Sequence, residues 1–191
     1  MICRQVRLNS YMFEPVFFTL GEARKELRDA KKNRGGALQP HHFQPFDEVV
    51  ARVNAAIGHP DMAEFGRLTH EARSFAELKS AVEKGLSNAG LMLFMQLDHG
   101  AILRKETGRE TPKMIRFVIG NPLIMKEMAR HVPDAGSYAP ATVLVDERAD
   151  GVHLSYDRMA SFLAPYGNRD ALEVARNLDK KIEDLLRQAA A

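Results

Sequence analysis

The stretch Met114-Ile115-Arg116-Phe117-Val118-Ile119-Gly120-Asn121-Pro122 decides the fold, because it predicts a strand that turns directly into a helix. Its first six residues are mostly β-branched or aromatic, which favours a strand over residues 113–119. Asn121 is a good N-cap, since its side chain can accept a hydrogen bond from a free N–H at the start of a helix. Pro122 suits the first helical position, where a missing N–H costs nothing. The helix that follows is predicted to end at Pro133.

Downstream of this corner the sequence predicts a hairpin and two more helices. Residues 142–147 and 152–156 read as strands joined through Asp150-Gly151, a dipeptide typical of tight hairpin turns. Asp157 is predicted to cap a short helix over residues 159–163, and a long amphipathic helix is predicted from Asp170 onward.

Upstream, Ser74 and Glu77 have the spacing of a capping box, in which the side chain of each residue accepts a hydrogen bond from the backbone N–H of the other. A helix is therefore predicted over residues 74–86. Residues 91–95 are five apolar residues in a row and predict a buried strand, and residues 68–72 are predicted to form another strand.

These elements predict an α+β fold in which an antiparallel or mixed sheet is covered by helices on one face. We assign this domain to residues 67–188. Residues 1–66 are predicted to form a helical N-terminal extension, with one helix after the capping pair Thr19 and Glu22 and a second from Phe46. Two short helices bury too little to fold alone, so we expect the extension to pack on the domain.

Composition excludes several classes of protein. The 27 basic and 25 acidic residues give a net charge of +2, too balanced to indicate a nucleic-acid-binding surface. With the single cysteine Cys3, no intrachain disulfide and no cysteine-based metal cluster can form. No segment approaches the ~20 apolar residues that span a bilayer, so we expect a cytoplasmic protein that does not enter the membrane.

Residues 67–188 resemble the family of the domain of unknown function 302. The likeness is carried by the strand that ends in Gly120-Asn121-Pro122, by residues 138–145, by the hairpin at residues 150–156, and by the helix and strand before Gly120. The resemblance implies an antiparallel sheet in a fold like that of the TATA-binding protein, and it implies a homodimer. It implies no established activity, so no catalytic residue or cofactor follows from it.

The candidate ligand-binding residues are Asn121, Met125, Met128, Tyr156 and His99. Amide, thioether and aromatic groups are what small-molecule pockets use, so a pocket between sheet and helix near Asn121 is the leading hypothesis. The ligand is expected to be a small anion, held at the helix N-terminus, or a small apolar molecule. Structural roles compete with this hypothesis, because Asn121 can simply cap its helix and Met is a common core residue.

Two other functions stay open. An enzyme would use His99 or His131 as a base, oriented by Asp98 or Asp157, although adjacent strand residues such as Asp98 and His99 point to opposite faces. His131 and His153 with the two methionines also invite a haem or soft-metal interpretation. However, His41, His42, His59 and His70 lack zinc-binding spacing, and we predict no metal site.

A regulatory protein would dock a partner through residues 1–66, using the basic residues of its first helix and the Phe43–Phe46 pair. That basic cluster consists of Arg24, Lys25, Arg28, Lys31, Lys32 and Arg34. It has no interleaved aromatic residues for base stacking, so nucleic-acid binding is not expected.

Overall fold

The computed structural model describes residues 15–19 and 45–191 of the chain. The strands in these ranges are β1 (Pro15–Thr19), β2 (Met92–Asp98), β3 (Met114–Gly120), β4 (Ala141–Arg148) and β5 (Gly151–Asp157). The helices there are α1 (Phe46–Ala56), α2 (Met62–Glu71), α3 (Phe75–Gly85), α4 (His99–Thr107), α5 (Pro122–Ala129), α6 (Ala135–Tyr138), α7 (Met159–Leu163) and α8 (Arg169–Ala190), with a 3₁₀ turn at Ala164–Tyr166.

The strands form one antiparallel sheet in the order β1-β5-β4-β3-β2. In the register of the sheet, Phe117 of β3 pairs with Val143 of β4, and Val143 pairs with Tyr156 of β5. All three are buried, whereas the neighbouring residue Arg116 is exposed, because successive side chains of a strand point to opposite faces. One face of the sheet therefore packs against helices to form the core. The α+β class predicted from the sequence is confirmed.

Helix α8 supplies most of the helical side of that core. It packs against α1, α5 and α7 and buries an apolar stripe on one face: Ala171, Ala175, Leu178, Ile182, Leu185, Leu186, Ala189 and Ala190. Asn168 caps it by accepting a hydrogen bond of 3.0 Å from the Ala171 N–H. An amphipathic helix of this length owes its stability mainly to such burial rather than to helix propensity.

The sequence predicted several elements correctly. The β3 strand ending at the Gly120 corner, the β4–β5 hairpin around Asp150-Gly151 and the helix from Phe46 are all present. The Ser74–Glu77 capping pair is also formed, but one of its two hydrogen bonds has a different donor. Ser74 Oγ accepts from the Glu77 N–H at 3.2 Å, and the Glu77 carboxylate accepts from the N–H of Arg73 rather than from that of Ser74.

Two strand predictions upstream of the corner need correction. Residues 68–71 are helical, as the end of α2, and Ala72 is the C-cap of that helix. The helix begins after Asp61, whose side chain accepts a hydrogen bond from the Glu64 N–H. Residues 91–95 begin as a buried strand, but Met95 is 53% exposed. The reason is that β2 is the outermost strand on its side of the sheet, beyond β3.

The predicted cap of the short helix α7 was also wrong. Asp157 does not cap it, and the residue at the cap position, Arg158, makes no capping hydrogen bond with its side chain. Instead Asp179, from the distant helix α8, accepts hydrogen bonds from the Met159 and Ala160 N–H groups. A cap supplied from twenty residues away leaves no local sequence signal.

The N-terminal region contains a strand that the sequence analysis did not predict. Pro15–Thr19 pairs antiparallel with β5, with Thr19 opposite His153, and so adds an edge strand to the sheet. The helix predicted after Thr19, the basic cluster, Cys3, His41, His42 and Phe43 lie outside the described residues. The domain boundary near residue 66 stays a prediction. No helix in residues 45–191 is long and apolar enough to cross a membrane.

Gly58 joins α1 to the sheet and gives the first testable prediction. Its N–H donates to the Leu91 carbonyl at 3.0 Å, and its own carbonyl accepts from the Leu93 N–H at 2.8 Å. A Cβ at this position would lie 2.0 Å from the Gly85 carbonyl oxygen. Gly58→Ala should therefore lower the free energy of unfolding, measured by urea denaturation, by about 2 kcal/mol or more.

Gly66→Ala is the matched control, because Gly66 lies inside helix α2 and a Cβ there meets no atom within 4 Å. It should raise the free energy of unfolding by about 0.5–1 kcal/mol, since alanine favours the helix. Equal effects of the two substitutions would contradict the close packing described at Gly58.

Candidate functional site

The corner between β3 and α5 is held by the side chain of Asn121. Its Oδ1 accepts a hydrogen bond of 2.8 Å from the Leu123 N–H, which caps α5 as the sequence predicted. Its Nδ2 donates at 3.0 Å to the carbonyl of Gly90, which lies two residues before the start of β2. One amide therefore begins the helix and ties it to a second loop, which fixes the direction in which α5 leaves the sheet.

A cavity of about 150 Å³ lies at this corner. It is lined by residues from β2, β3, α5, α8 and the start of β4 with the segment before it: Phe94, Gly120, Asn121, Pro122, Met125, Met128, Ala139, Pro140, Ala141 and Leu178. Three of the five residues that the sequence proposed for a ligand site, Asn121, Met125 and Met128, thus line one cavity. The two methionines are three positions apart on α5 and share a face of that helix.

The cavity is apolar, because Asn121 is the one polar residue among those that line it. That side chain already has a partner at both its oxygen and its nitrogen. The start of α5 also has few donors left for an anion, since Pro122 has no N–H and the N–H of Leu123 is bonded to Asn121. Burying a charged group without partners is costly, so this geometry favours an apolar occupant over an anionic one.

A second and larger space of about 290 Å³ lies between α2 and α3. It is lined by two successive helices and includes Glu71, Glu77 and Lys84. The Glu71 side chain is 58% exposed and forms an ion pair with Arg67, which indicates a solvent-facing groove. None of the residues that the sequence proposed for a site lines this groove.

Tyr156 is not part of the cavity. It is 1% exposed, and its hydroxyl donates to Asp179 Oδ1 at 2.6 Å. Asp179 also accepts from the N–H groups of Met159 at 2.7 Å and Ala160 at 3.0 Å. The tyrosine and the aspartate therefore connect β5, α7 and α8 in the interior, a structural arrangement distinct from the cavity.

Burial governs the ionisation of this pair. Loss of hydration raises the pKa of Asp179 above its ordinary value of 3.8, and the negative charge of nearby Glu183 raises it further, against the lowering effect of the three hydrogen bonds. Burial also raises the pKa of Tyr156, so the phenol stays protonated and acts as a donor to the carboxylate.

His99 lies far from the cavity. His99 follows Asp98, the last residue of β2, which pairs with Ile115. The cavity residue Gly120 pairs with Met92, at the other end of β2. The six residue steps from Met92 to Asp98 span roughly 20 Å. Asp98 is engaged elsewhere, since it caps α4 and binds Arg104 at 2.7 Å, a hydrogen bond that lowers the pKa of the carboxyl.

The other described histidines also lie outside the cavity lining. His131 is exposed after the end of α5, with Nδ1 4.0 Å from Asp170 Oδ2. His153 is buried in β5 and its Nε2 lies 2.8 Å from Asp150 Oδ1 in the hairpin. His59 Nε2 lies 2.8 Å from the Asn54 carbonyl. Within residues 45–191 no group of three His, Cys, Asp or Glu side chains is placed to hold a metal ion.

The residues of the cavity wall that sequence analysis missed include Phe94 and Pro140, and also Gly120, which was interpreted only as part of the turn into the helix. Ile119 pairs with Ala141 in the sheet, and this register is what brings Pro140 beside Gly120. The Tyr138-Ala139-Pro140-Ala141 segment was visible in the sequence, but nothing local in it specifies which residue of β3 it meets.

The class of protein defined by these features is an α+β domain whose antiparallel sheet is covered by helices and whose strand–helix corner carries a small apolar cavity. The family model described as "Domain of unknown function DUF302" matches residues 69–189, more than half of the chain, and the protein belongs to that family. The resemblance inferred from the sequence is thereby confirmed. No curated protein matches this chain.

One solved structure similar to this chain is that of an uncharacterised conserved DUF302 protein from Bacillus stearothermophilus. The two are 13% identical, with a TM-score of 0.49, over 70% of this chain and 94% of that chain.

Asn121 gives a prediction about the corner. Asn121→Ala removes both the cap and the bond to Gly90 and should lower the free energy of unfolding by about 2 kcal/mol. Asn121→Ser keeps a capping oxygen but is too short to reach Gly90, so its loss should be about half as large. Urea denaturation measures both, and equal losses would show that the bond to Gly90 contributes nothing.

Asp179 gives a prediction about pH. Because its pKa is raised in the folded state, folding favours the protonated carboxyl, and its contribution to stability is fully present below the unfolded pKa and is lost as pH rises through the folded pKa. The difference in free energy of unfolding between wild type and Asp179→Asn should therefore be largest near pH 4 and shrink toward neutral pH. A difference that grows with pH would mean that the hydrogen bonds outweigh burial.

Proposed function

We propose that this protein binds a small, uncharged, apolar ligand in the cavity at the Gly120–Asn121 corner. The observation that carries the proposal is that the cavity has one polar side chain in its lining and that this side chain is already bonded at both ends. Among the residues that the structure describes, no charged side chain lines the cavity, so a charged ligand would meet no opposite charge there. An apolar ligand would replace water against methionine, proline and phenylalanine surfaces.

The build of the walls supports this function. Met128 is fully buried and Leu178 nearly so, and they are held by the core that α5 and α8 form with the sheet. Met125 is partly exposed, and Pro140 is exposed at the rim, which gives an apolar molecule a route to the interior. Thioethers adapt their shape to a ligand more readily than branched side chains do.

Binding rather than catalysis is proposed, because no histidine of the described residues lines this cavity and the carboxylates of Asp98 and Asp179 lie elsewhere in hydrogen bonds of their own. A general base must lie within hydrogen-bond reach of the proton that it removes. The homodimer expected from the family resemblance stays a prediction.

The test of this function uses xenon as an apolar probe and inorganic phosphate as an anionic probe, both with the full chain. Xenon should bind, as seen by ¹²⁹Xe NMR and by amide shifts around Met125 and Met128, because an apolar cavity of this size accommodates such a probe. Ala141→Val fills the cavity from β4 and should weaken xenon binding by about tenfold or more. Its free energy of unfolding should change by less than about 1.5 kcal/mol.

Thr142→Val is the matched control, because Thr142 is the next residue of β4 and does not line the cavity. It should leave xenon binding unchanged. Xenon binding that is the same in wild type and Ala141→Val would overturn the proposal, as would phosphate-induced shifts at the start of α5 without any response to xenon.

A further inference from the structure

Phe94 is an extra residue in strand β2. Leu93 pairs with Ile119 of β3 and Met95 pairs with Val118, so Phe94 between them has no partner in that strand. This irregularity is a β-bulge, which bends the strand and turns a side chain away from the direction that regular alternation would give it. The direction of the Phe94 ring is therefore set by the bulge, and bulges of this kind are common beside active sites.

The Phe94 ring reaches the cavity at the Gly120–Asn121 corner, where it is the lining residue that β2 contributes. Its reach is shown by Gly120 on the neighbouring strand, because a Cβ built there would lie 3.6 Å from Phe94 Cε2. Since Gly120 has no side chain, the edge of the ring approaches the β3 backbone directly. The ring therefore bounds the cavity on the side of β2.

Phe94 differs from other large side chains of the lining in its relation to the core. Met128 and Leu178 belong to the buried core between the sheet and helices α5 and α8. Phe94 lies on the outermost strand beyond β3, is half-buried and is not part of that core. Phenylalanine is also the bulkiest type of side chain in the lining. A substitution at Phe94 can therefore change the size of the cavity while the core stays intact.

We propose that Phe94 limits the size of the ligand, so that the site takes an apolar molecule no larger than a single benzene-sized ring. This inference rests on the proposed function, binding of an apolar ligand, and adds the size class of that ligand. The cavity measures about 150 Å³, and apolar cavities of roughly that volume in protein interiors hold one benzene molecule. Phe94 is then a specificity-determining residue, because its ring occupies space into which a larger ligand would extend.

The experiment compares fluorobenzene with 1-fluoronaphthalene, two apolar aromatic probes that differ in size. Each is titrated into the full chain and followed by ¹⁹F NMR. Wild type should bind fluorobenzene about tenfold more tightly than 1-fluoronaphthalene, or better. This order is opposite to the one that hydrophobicity alone would give, since the larger probe has more apolar surface to remove from water.

Phe94→Ala removes the ring and should admit the larger probe. The affinity for 1-fluoronaphthalene should rise by about tenfold or more relative to wild type. Met95→Ala is the matched control, because Met95 is the next residue of β2, is 53% exposed and does not line the cavity. It should bind both probes like wild type.

Phe94→Leu keeps an apolar side chain on the edge strand and serves as the test if the alanine variant does not fold. Its gain in affinity for 1-fluoronaphthalene should be smaller, about threefold. Equal binding of the two probes by wild type, or folded Phe94 variants without a gain for the larger probe, would overturn the size limit and leave the proposed function standing. If wild type binds neither fluorobenzene nor xenon, the proposed function itself is wrong.

Discussion

The side-chain amide of Asn121 is the interaction on which the rest of the corner depends. Its oxygen caps α5 and its nitrogen binds the Gly90 carbonyl, so the helix that carries Met125 and Met128 is fixed both to its own strand and to the entry of β2. Without the second bond, α5 would be directed by packing alone. The cavity exists because five segments converge at the point that this amide holds, while Gly120 leaves the space of one side chain unfilled.

A second polar side chain, the buried Asp179, organises another part of the core. It accepts from Tyr156 and from two N–H groups of α7, and thereby links the end of the hairpin to the long helix. At both Asn121 and Asp179, one polar side chain makes hydrogen bonds with backbone groups that would otherwise lack partners. They differ in consequence, because the carboxylate is enclosed by structure whereas the amide borders a cavity.

What the sequence predicted depends on how local each signal is. The strand ending at Gly120, the cap at Asn121 and the hairpin at Asp150-Gly151 are specified by neighbouring residues, and all are present. The grouping of Asn121, Met125 and Met128 also follows from helical spacing.

The signals that failed are not local. Tyr156 was placed in the ligand site because it is aromatic and close in the predicted sheet, yet strand alternation turns it toward α8, where Asp179 accepts a hydrogen bond from its hydroxyl. The contributions of Phe94 and Pro140 required the register between strands, and the cap on α7 required a residue twenty positions away.

The strand β1 carries a consequence for how the chain assembles. Pro15 pairs with Asp157, so the first strand must find a partner roughly 140 residues further along the polypeptide, whereas β4 and β5 meet across a tight turn. Contacts so distant in sequence form late, since closing a long loop costs entropy before any contact repays it. During synthesis the first strand leaves the ribosome long before β5 exists. Until β5 is made, β1 has no partner strand, and over that interval it is most open to mispairing with other strands.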